Sequence, residues 1–327
     1  MKNLLLACFL GLSLVFSSFA FDSASAIAYF PPPLKQIQQG VNPANVTCTE
    51  GFELVLKFST GEPACIKPSS VEKLIQRGWA IHVLSDYEKN EDNNSTVFET
   101  GIFEVDMAVV QYHEDTNGFL AKPASDEKFP AIIMIHEWWG LNDNIKEMAQ
   151  KLASHGYVVL AVDLYDGQIG TTPEEARQLI SSFDRTEWIS NMNSAAAYLD
   201  EQHNTTSLGS IGWCMGGAQS LQLALNNNDV DATVIYYGSL VTEPEDLSSI
   251  QWPVLGIFAE LDQGIPPSQV HEFESALNEL GISNDIHIYP GVDHAFANPS
   301  GDRYAPEQTA DAWQKTLEFF EVNLKQN

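Results

Sequence analysis

Gly212-Trp213-Cys214-Met215-Gly216-Gly217 lies between an apolar run, residues 208–212, and a helical stretch, residues 215–226. A strand that passes into a helix through so short a turn is the setting of a nucleophile elbow. In that turn, side chains two positions either side of the apex would collide, and Gly212 and Gly216 remove them. Cys214 then projects at the start of a helix, where the dipole and free backbone N–H groups favour a thiolate and a developing oxyanion. Glycines flank many cysteines by chance, so a buried packing cysteine is the competing reading. The strand-turn-helix setting favours the nucleophile.

A nucleophilic thiol needs a base, and the base needs an orienting acid. In this arrangement they follow in the order nucleophile, acid, base, each after a later strand. Leu255-Gly256-Ile257-Phe258-Ala259-Glu260-Leu261-Asp262 reads as a strand running into a loop that ends in an acid. Ile288-Tyr289-Pro290-Gly291-Val292-Asp293-His294 is a second such strand and loop, ending in a histidine. The candidate set is therefore Cys214, Asp262 and His294. Glu260 and Asp293 compete for the acid, and His287 and His136 for the base. His287 alternates within a strand and His136 closes one, so both read as structural. His136-Glu137-Trp138-Trp139-Gly140 lacks the second histidine of a zinc-protease helix, so no metal and no cofactor is expected.

Around these motifs strands and helices alternate from residue 99 to the end. Val105 to Tyr112 and Gly118 to Ala121 read as an opening antiparallel pair. Residues 131–135 and 157–162 are continuous apolar runs, as expected of strands buried on both faces. Asn142 is placed to cap the helix between them, and Pro173 to open the next. Further helices are expected over 187–202, 267–280 and from about 305, with strands over 232–237, 253–259 and 285–289. The pattern implies a doubly wound, mostly parallel α/β sheet with helices on both faces, whose reactive groups stand at the carboxyl ends of strands.

The first 98 residues are different. Lys2 followed by the apolar run Leu4 to Phe19, with small residues at Ser18-Phe19-Ala20 and again at Ala24-Ser25-Ala26, either of which suits a signal peptidase, reads as an export signal over 1–26. The run is short for a membrane span, which needs about twenty residues, so an uncleaved leader is the one route to a membrane. Residues 27–44, with Pro31-Pro32-Pro33, read as a tether, and 85–98 as a linker. Between them, residues 45–84 hold a small Cys-paired segment. Cys48 and Cys65 flank a hairpin and are natural disulfide partners in an oxidising compartment. Ser69 or Ser70 is expected to cap a short helix ending at Gln76. Asn-x-Ser/Thr triplets begin at Asn45, Asn93, Asn94 and Asn204. Forty-four acidic residues against sixteen basic ones give a formal charge of −28, which repels phosphate backbones and argues against nucleic-acid binding.

Residues from about 100 to 325 resemble dienelactone hydrolases, the carboxymethylenebutenolidase group of the α/β-hydrolases. The resemblance rests on residues 135–142, on Gly156-Tyr157 leading to Ala161-Val162-Asp163-Leu164-Tyr165, on the Cys214 elbow with its double glycine, on Asp262, and on His294-Ala295-Phe296. It implies that Cys214 attacks a carbonyl carbon, His294 relays protons and Asp262 fixes the imidazole tautomer. It further implies that the backbone N–H groups of Met215 and Trp138 form the oxyanion hole, and that Glu137 helps to generate the thiolate when substrate binds. The competing reading of Glu137 is a loop carboxylate that caps the next helix.

In one respect the chain departs from that family. Dienelactone hydrolases grip the substrate carboxylate with arginines, one of them shortly after the catalytic histidine. Here Asn298 stands at that point, with Arg303 nearby in the loop and Arg177 as a candidate for the other cation. The expectation is an exported hydrolase that cleaves an ester or lactone through an acyl-enzyme, with neutral esters, lactones and thioesters all open. The alternatives are an idle α/β-hydrolase fold used as a binding or surface module, and a redox role for the lone thiol.

Overall fold

The computed structural model describes residues 31–38, 41, 46–49, 51–57, 63–76, 80–82, 101 and 103–325. The export signal (1–26), the linker (85–98) and the triplets at Asn45, Asn93 and Asn94 lie outside these residues, and the tether (27–44) is described in part.

Near the N-terminus, helix α1 (Pro33–Gln38) precedes strands β1 (Glu53–Lys57) and β2 (Pro63–Ile66), helix α2 (Pro68–Gln76) and strand β3 (Ala80–His82). The three strands form an antiparallel sheet in the order β2-β1-β3. Cys48 and Cys65 are joined, with Cα atoms 5.6 Å apart. Val55 and Val71 are buried against Ala64, Ile66 and Leu74. So small a core carries little burial energy, which is why the disulfide matters to it. Two details correct the sequence reading. Helix α1 occupies part of the stretch read as a tether, where the buried Gln36 side chain bonds to Pro31, and to the backbone of Thr47 in both directions. Helix α2 begins at Pro68, so Ser69 and Ser70 lie in its first turn and do not cap it. Proline suits a first helical position because its fixed φ is already helical and its missing N–H would have had no partner.

The second sheet has eight strands, in the order β11-β10-β9-β8-β6-β7-β5-β4. These are β4 (Val105–His113), β5 (Thr116–Pro123), β6 (Ala131–Ile135), β7 (Val158–Val162), β8 (Leu208–Trp213), β9 (Ala232–Tyr236), β10 (Val254–Ala259) and β11 (Asn284–Tyr289). Strands β4 and β5 pair antiparallel, as does β5 with β7, and every other pairing is parallel. Side-chain alternation divides the apolar strands between two cores. Ile133 and Ile135 face α4 (Pro173–Ser182), α5 (Arg185–His203), α6 (Met215–Asn226) and α8 (Pro267–Glu279). Ile132 and Met134 face α3 (Asp143–Ser154) and α9 (Pro306–Leu324). The inner strands β6 to β10 are therefore buried on both faces, which explains runs without polar interruption. A four-residue helix, α7 (Pro244–Leu247), adds a turn that no periodicity announced.

Local signals explain where the helices begin. The Asn142 side chain accepts from the Ile145 N–H and caps α3, and Thr172 with Glu175 forms a capping box ahead of Pro173. From β6 the chain crosses to β7 on one side, and β8 then returns to the other side of β6. The crevice at such a reversal, outside the carboxyl ends of the strands, is where open α/β sheets bind ligands.

Candidate active site

Cys214 occupies the turn between β8 and α6 with φ 55° and ψ −115°, a conformation that costs a non-glycine residue energy and persists only where its surroundings enforce it. They do so by crowding. A Cβ on Gly212 would lie 2.1 Å from the Gly216 carbonyl oxygen, and one on Gly216 would lie 2.3 Å from that of Ile135 and 2.5 Å from that of His136. Gly217 and Gly238 meet the same limit from the β9 side, at 2.5 Å from the Tyr236 carbonyl and 2.2 Å from the Ala218 nitrogen. The elbow is thus clamped between the ends of β6 and β9, and the Cys214 N–H is tied to the Tyr236 carbonyl at 3.0 Å.

Three strand ends bring the candidate residues together. His294 Nε2 stands 3.1 Å from Cys214 Sγ, and His294 Nδ1 stands 2.7 Å from Asp262 Oδ2. Asp262 is 4% exposed, and its other oxygen accepts from the N–H groups of Gly264 (2.8 Å) and Ile265 (3.1 Å). Burial pushes this carboxyl up, but the hydrogen bond and charge of His294 and the two N–H groups outweigh it and hold the pKa below its ordinary value. For His294, burial again opposes the charged form. The bonds to Asp262 and Cys214 and the charges of both overcome it and raise the imidazole to about 10.

The competitors are engaged elsewhere. Glu260 is exposed and accepts from the Gly291 N–H at 2.8 Å. Asp293 accepts from the His294 backbone N–H at 2.7 Å and pairs with Arg303 at 3.3 Å. His287 lies in β11 beside Asp285, at 3.0 Å. His136 is buried, accepts the Leu164 N–H on Nε2 (3.1 Å) and holds the Glu137 carbonyl on Nδ1 (2.6 Å). Since Nε2 receives a proton donor, Nδ1 carries the hydrogen. Burial lowers the pKa of this ring and keeps it neutral, so it braces the loop after β6.

That loop supplies Glu137 and Trp138. The Met215 N–H opens α6, where first-turn N–H groups lack an intrahelical acceptor. The approach of Gly216 to the Ile135 and His136 carbonyls puts the Trp138 loop beside it. The Trp138 N–H makes no backbone hydrogen bond among the described residues. Glu137 is 3% exposed, and its Oε2 accepts from Asn298 Nδ2. Burial raises its pKa to about 7, against the lowering effect of His294 and Asn298. Asn298, buried four residues after His294, is thus the partner of Glu137. The two arginines are also engaged: Arg177 pairs with Glu174 at 3.2 Å and lies over the Trp138 ring, 5.9 Å from its centroid.

Among the described residues, no three His, Cys, Asp or Glu side chains cluster to hold a metal ion, and no helix is long and apolar enough to cross a membrane.

Residues 116–324 match the model of the dienelactone hydrolase family. The chain belongs to the dienelactone hydrolase family. It is similar to Protein usf of Aquifex pyrophilus, at 32% identity over 217 residues covering 63% of this chain and 93% of that one. It is also similar to a Synechocystis sp. protein provisionally named carboxymethylenebutenolidase, at 31% identity over 227 residues covering 64% and 92%. Among solved structures, a Klebsiella pneumoniae protein provisionally titled dienelactone hydrolase superposes with a TM-score of 0.61 at 26% identity, covering 66% of this chain and 98% of that one. As a dienelactone hydrolase family member the chain is a carboxymethylenebutenolidase-like hydrolase, of a family acting on lactone or ester bonds.

Two further residues stand at the site with no catalytic motif to mark them, although Tyr165 closes the family-like stretch Ala161-Val162-Asp163-Leu164-Tyr165. Tyr237 is buried with φ 35° and packs on the His294 ring at 5.2 Å between centroids. The Tyr165 hydroxyl reaches Met215 Sδ at 3.0 Å. Each follows an apolar strand, and only the sheet order shows that those strands end near Cys214.

Proposed function

We propose that this hydrolase cleaves an uncharged ester or lactone with Cys214 as nucleophile, His294 as proton relay and Asp262 as its orienting acid. The continuous line from Sγ through the imidazole to the buried carboxylate, at 3.1 Å and 2.7 Å, is the observation that supports this reading. His294 holds the Cys214 proton on Nε2, as its raised pKa favours, and the sulfur attacks the carbonyl carbon. The N–H groups of Met215 and Trp138 receive the developing oxyanion. Collapse breaks the C–O bond, the imidazolium returns its proton to the departing alkoxide, and a thioester acyl-enzyme remains. His294 then deprotonates a water, which releases the acid and regenerates the thiol. Glu137 lies beside this path and assists thiolate formation. Asp262 stays ionised throughout and keeps the proton on Nδ1.

The preference for an uncharged substrate rests on charge. A buried carboxyl, Glu137, stands at the site with an amide partner, Asn298, while Arg177 and Arg303 are paired with Glu174 and Asp293. A substrate carboxylate would meet an acid without gaining an uncommitted cation. Export is the second part of the reading, supported by the leader-like residues 1–26 and by the disulfide, which an oxidising compartment maintains.

The test is a panel of neutral and anionic esters and lactones assayed with the natural chain and with Cys214→Ala. Turnover of neutral members, lost in the variant, and an acyl mass on the peptide containing Cys214 are expected. Undiminished hydrolysis by Cys214→Ala overturns the nucleophile assignment. A preference for anionic lactones overturns the substrate reading.

A further inference from the structure

Tyr165 follows β7, which pairs with β6, the strand before Trp138; β8, which leads to Cys214, lies on the other side of β6. Its backbone is fixed by Asp163, which accepts from the Tyr165 N–H (2.9 Å) and the Gly167 N–H (2.6 Å). Its ring is fixed by His136 (4.9 Å), Phe183 (5.4 Å) and Trp188 (6.0 Å) between centroids. Gly140, in the loop after β6, lies against the same ring: a Cβ there would stand 3.4 Å from the ring and 2.4 Å from the Gln168 carbonyl oxygen, so the loop is closed down on Tyr165. Such a side chain is rigid, and its hydroxyl is delivered to one place. Yet the acceptor it meets there is the Met215 thioether, at 3.0 Å. Sulfur is a weak acceptor, and methionine is flexible and readily moved. A buried phenol aimed at a weak, displaceable acceptor beside a nucleophile is poised to donate to a better one. Burial raises the Tyr165 pKa, and the charge of Cys214 adds to the rise, so the hydroxyl keeps its proton and stands within electrostatic reach of the reacting sulfur.

We infer that the Tyr165 hydroxyl is a third hydrogen-bond donor to the carbonyl oxygen of the bound ester or lactone, and that Met215 Sδ holds its place until substrate displaces it. The three donors then come from three adjacent strand ends: Trp138 after β6, Tyr165 after β7 and Met215 after β8. This rests on Cys214 being the nucleophile, since the oxygen in question is the one polarised as sulfur attacks.

The test uses the full chain with Tyr165→Phe, Met215→Leu and the double variant. Tyr165→Phe keeps the ring contacts, so its melting temperature should stay near that of the natural chain. Its kcat/KM should fall about 10- to 100-fold, mainly in kcat, as expected for losing a hydrogen bond to a charged group. The inhibition constant of a trifluoromethyl ketone, which forms a tetrahedral adduct on the thiol, should rise by a similar factor. Met215→Leu removes the competing acceptor without touching the backbone N–H. It should raise kcat/KM about two- to five-fold, the scale of one weak neutral hydrogen bond, and do so only while Tyr165 is present. A Tyr165→Phe enzyme within two-fold of the natural chain, or a Met215→Leu effect that persists in the double variant, overturns the inference. Activity in Cys214→Ala would instead overturn the catalytic reading beneath it, so the two failures are told apart.

Discussion

At the scale of single residues, the site is governed by where protons are held. Asp262 uses both oxygens, one on His294 and one on two backbone N–H groups. An Asp262→Asn variant would present an amide to Nδ1 and favour the tautomer with the proton on Nε2, which cannot accept from sulfur. Its kcat should fall on the order of 10⁴-fold with the fold retained, as steady-state kinetics and circular dichroism would show. Glu137 makes a different prediction. Its folded pKa of about 7 exceeds its ordinary value of 4.5, so the folded state binds that proton more tightly than the unfolded chain. The resulting stability is full below about pH 4.5 and is lost as pH rises through 7. Glu137→Gln mimics the protonated form and can still accept from Asn298. It should melt above the natural chain at pH 8 and close to it at pH 4. A variant that is less stable at pH 8 would show that the ionised carboxylate is welcome in the site. Cys214, Asp262 and His294 were legible as candidates because each follows a recognisable strand, and the structure brings the three into contact. The Asn298–Glu137 pair was not, because 161 residues separate its members.

At the scale of elements, the elbow depends on two backbone approaches that no side chain can share. Gly216→Ala would drive a Cβ to 2.3 Å from the Ile135 carbonyl, and that carbonyl belongs to a central strand that cannot retreat. Loss of soluble, folded protein is expected. Gly281 provides the contrast: it has φ +71°, but a Cβ added there would meet nothing within 4 Å. Gly281→Ala should therefore fold and lose only about 1–2 kcal/mol, the cost of a left-handed alanine, measured by urea denaturation. The buried strands and the caps at Asn142 and Thr172 were readable in the sequence, because apolar runs and capping residues act within a few positions. Helices α1 and α7 were not. At six and four residues they are too short to show a period, and tertiary contacts such as those of Gln36 decide them.

At the scale of the molecule, two sheets with separate cores carry different dependences. The smaller rests on Val55, Val71 and the Cys48–Cys65 bond, the larger on two apolar layers about an eight-stranded sheet. Replacing Cys48 and Cys65 with serine should cost the smaller unit about 3 kcal/mol, the usual effect of opening a loop of this length. Ester turnover by the larger unit should be unchanged, and limited proteolysis combined with kinetics would check both outcomes. By itself the sequence determined the fold class, the family and the candidate set Cys214, Asp262 and His294, because strand periodicity, the elbow glycines and the loop residues act locally. Tertiary structure decided which competing carboxylate faces His294, what Asn298 holds, and that the Tyr165 hydroxyl reaches Met215, the residue after Cys214. Those contacts join residues from 32 to 161 positions apart. They depend on which strands lie side by side, and the order of strands in a sheet is set by how the whole chain packs.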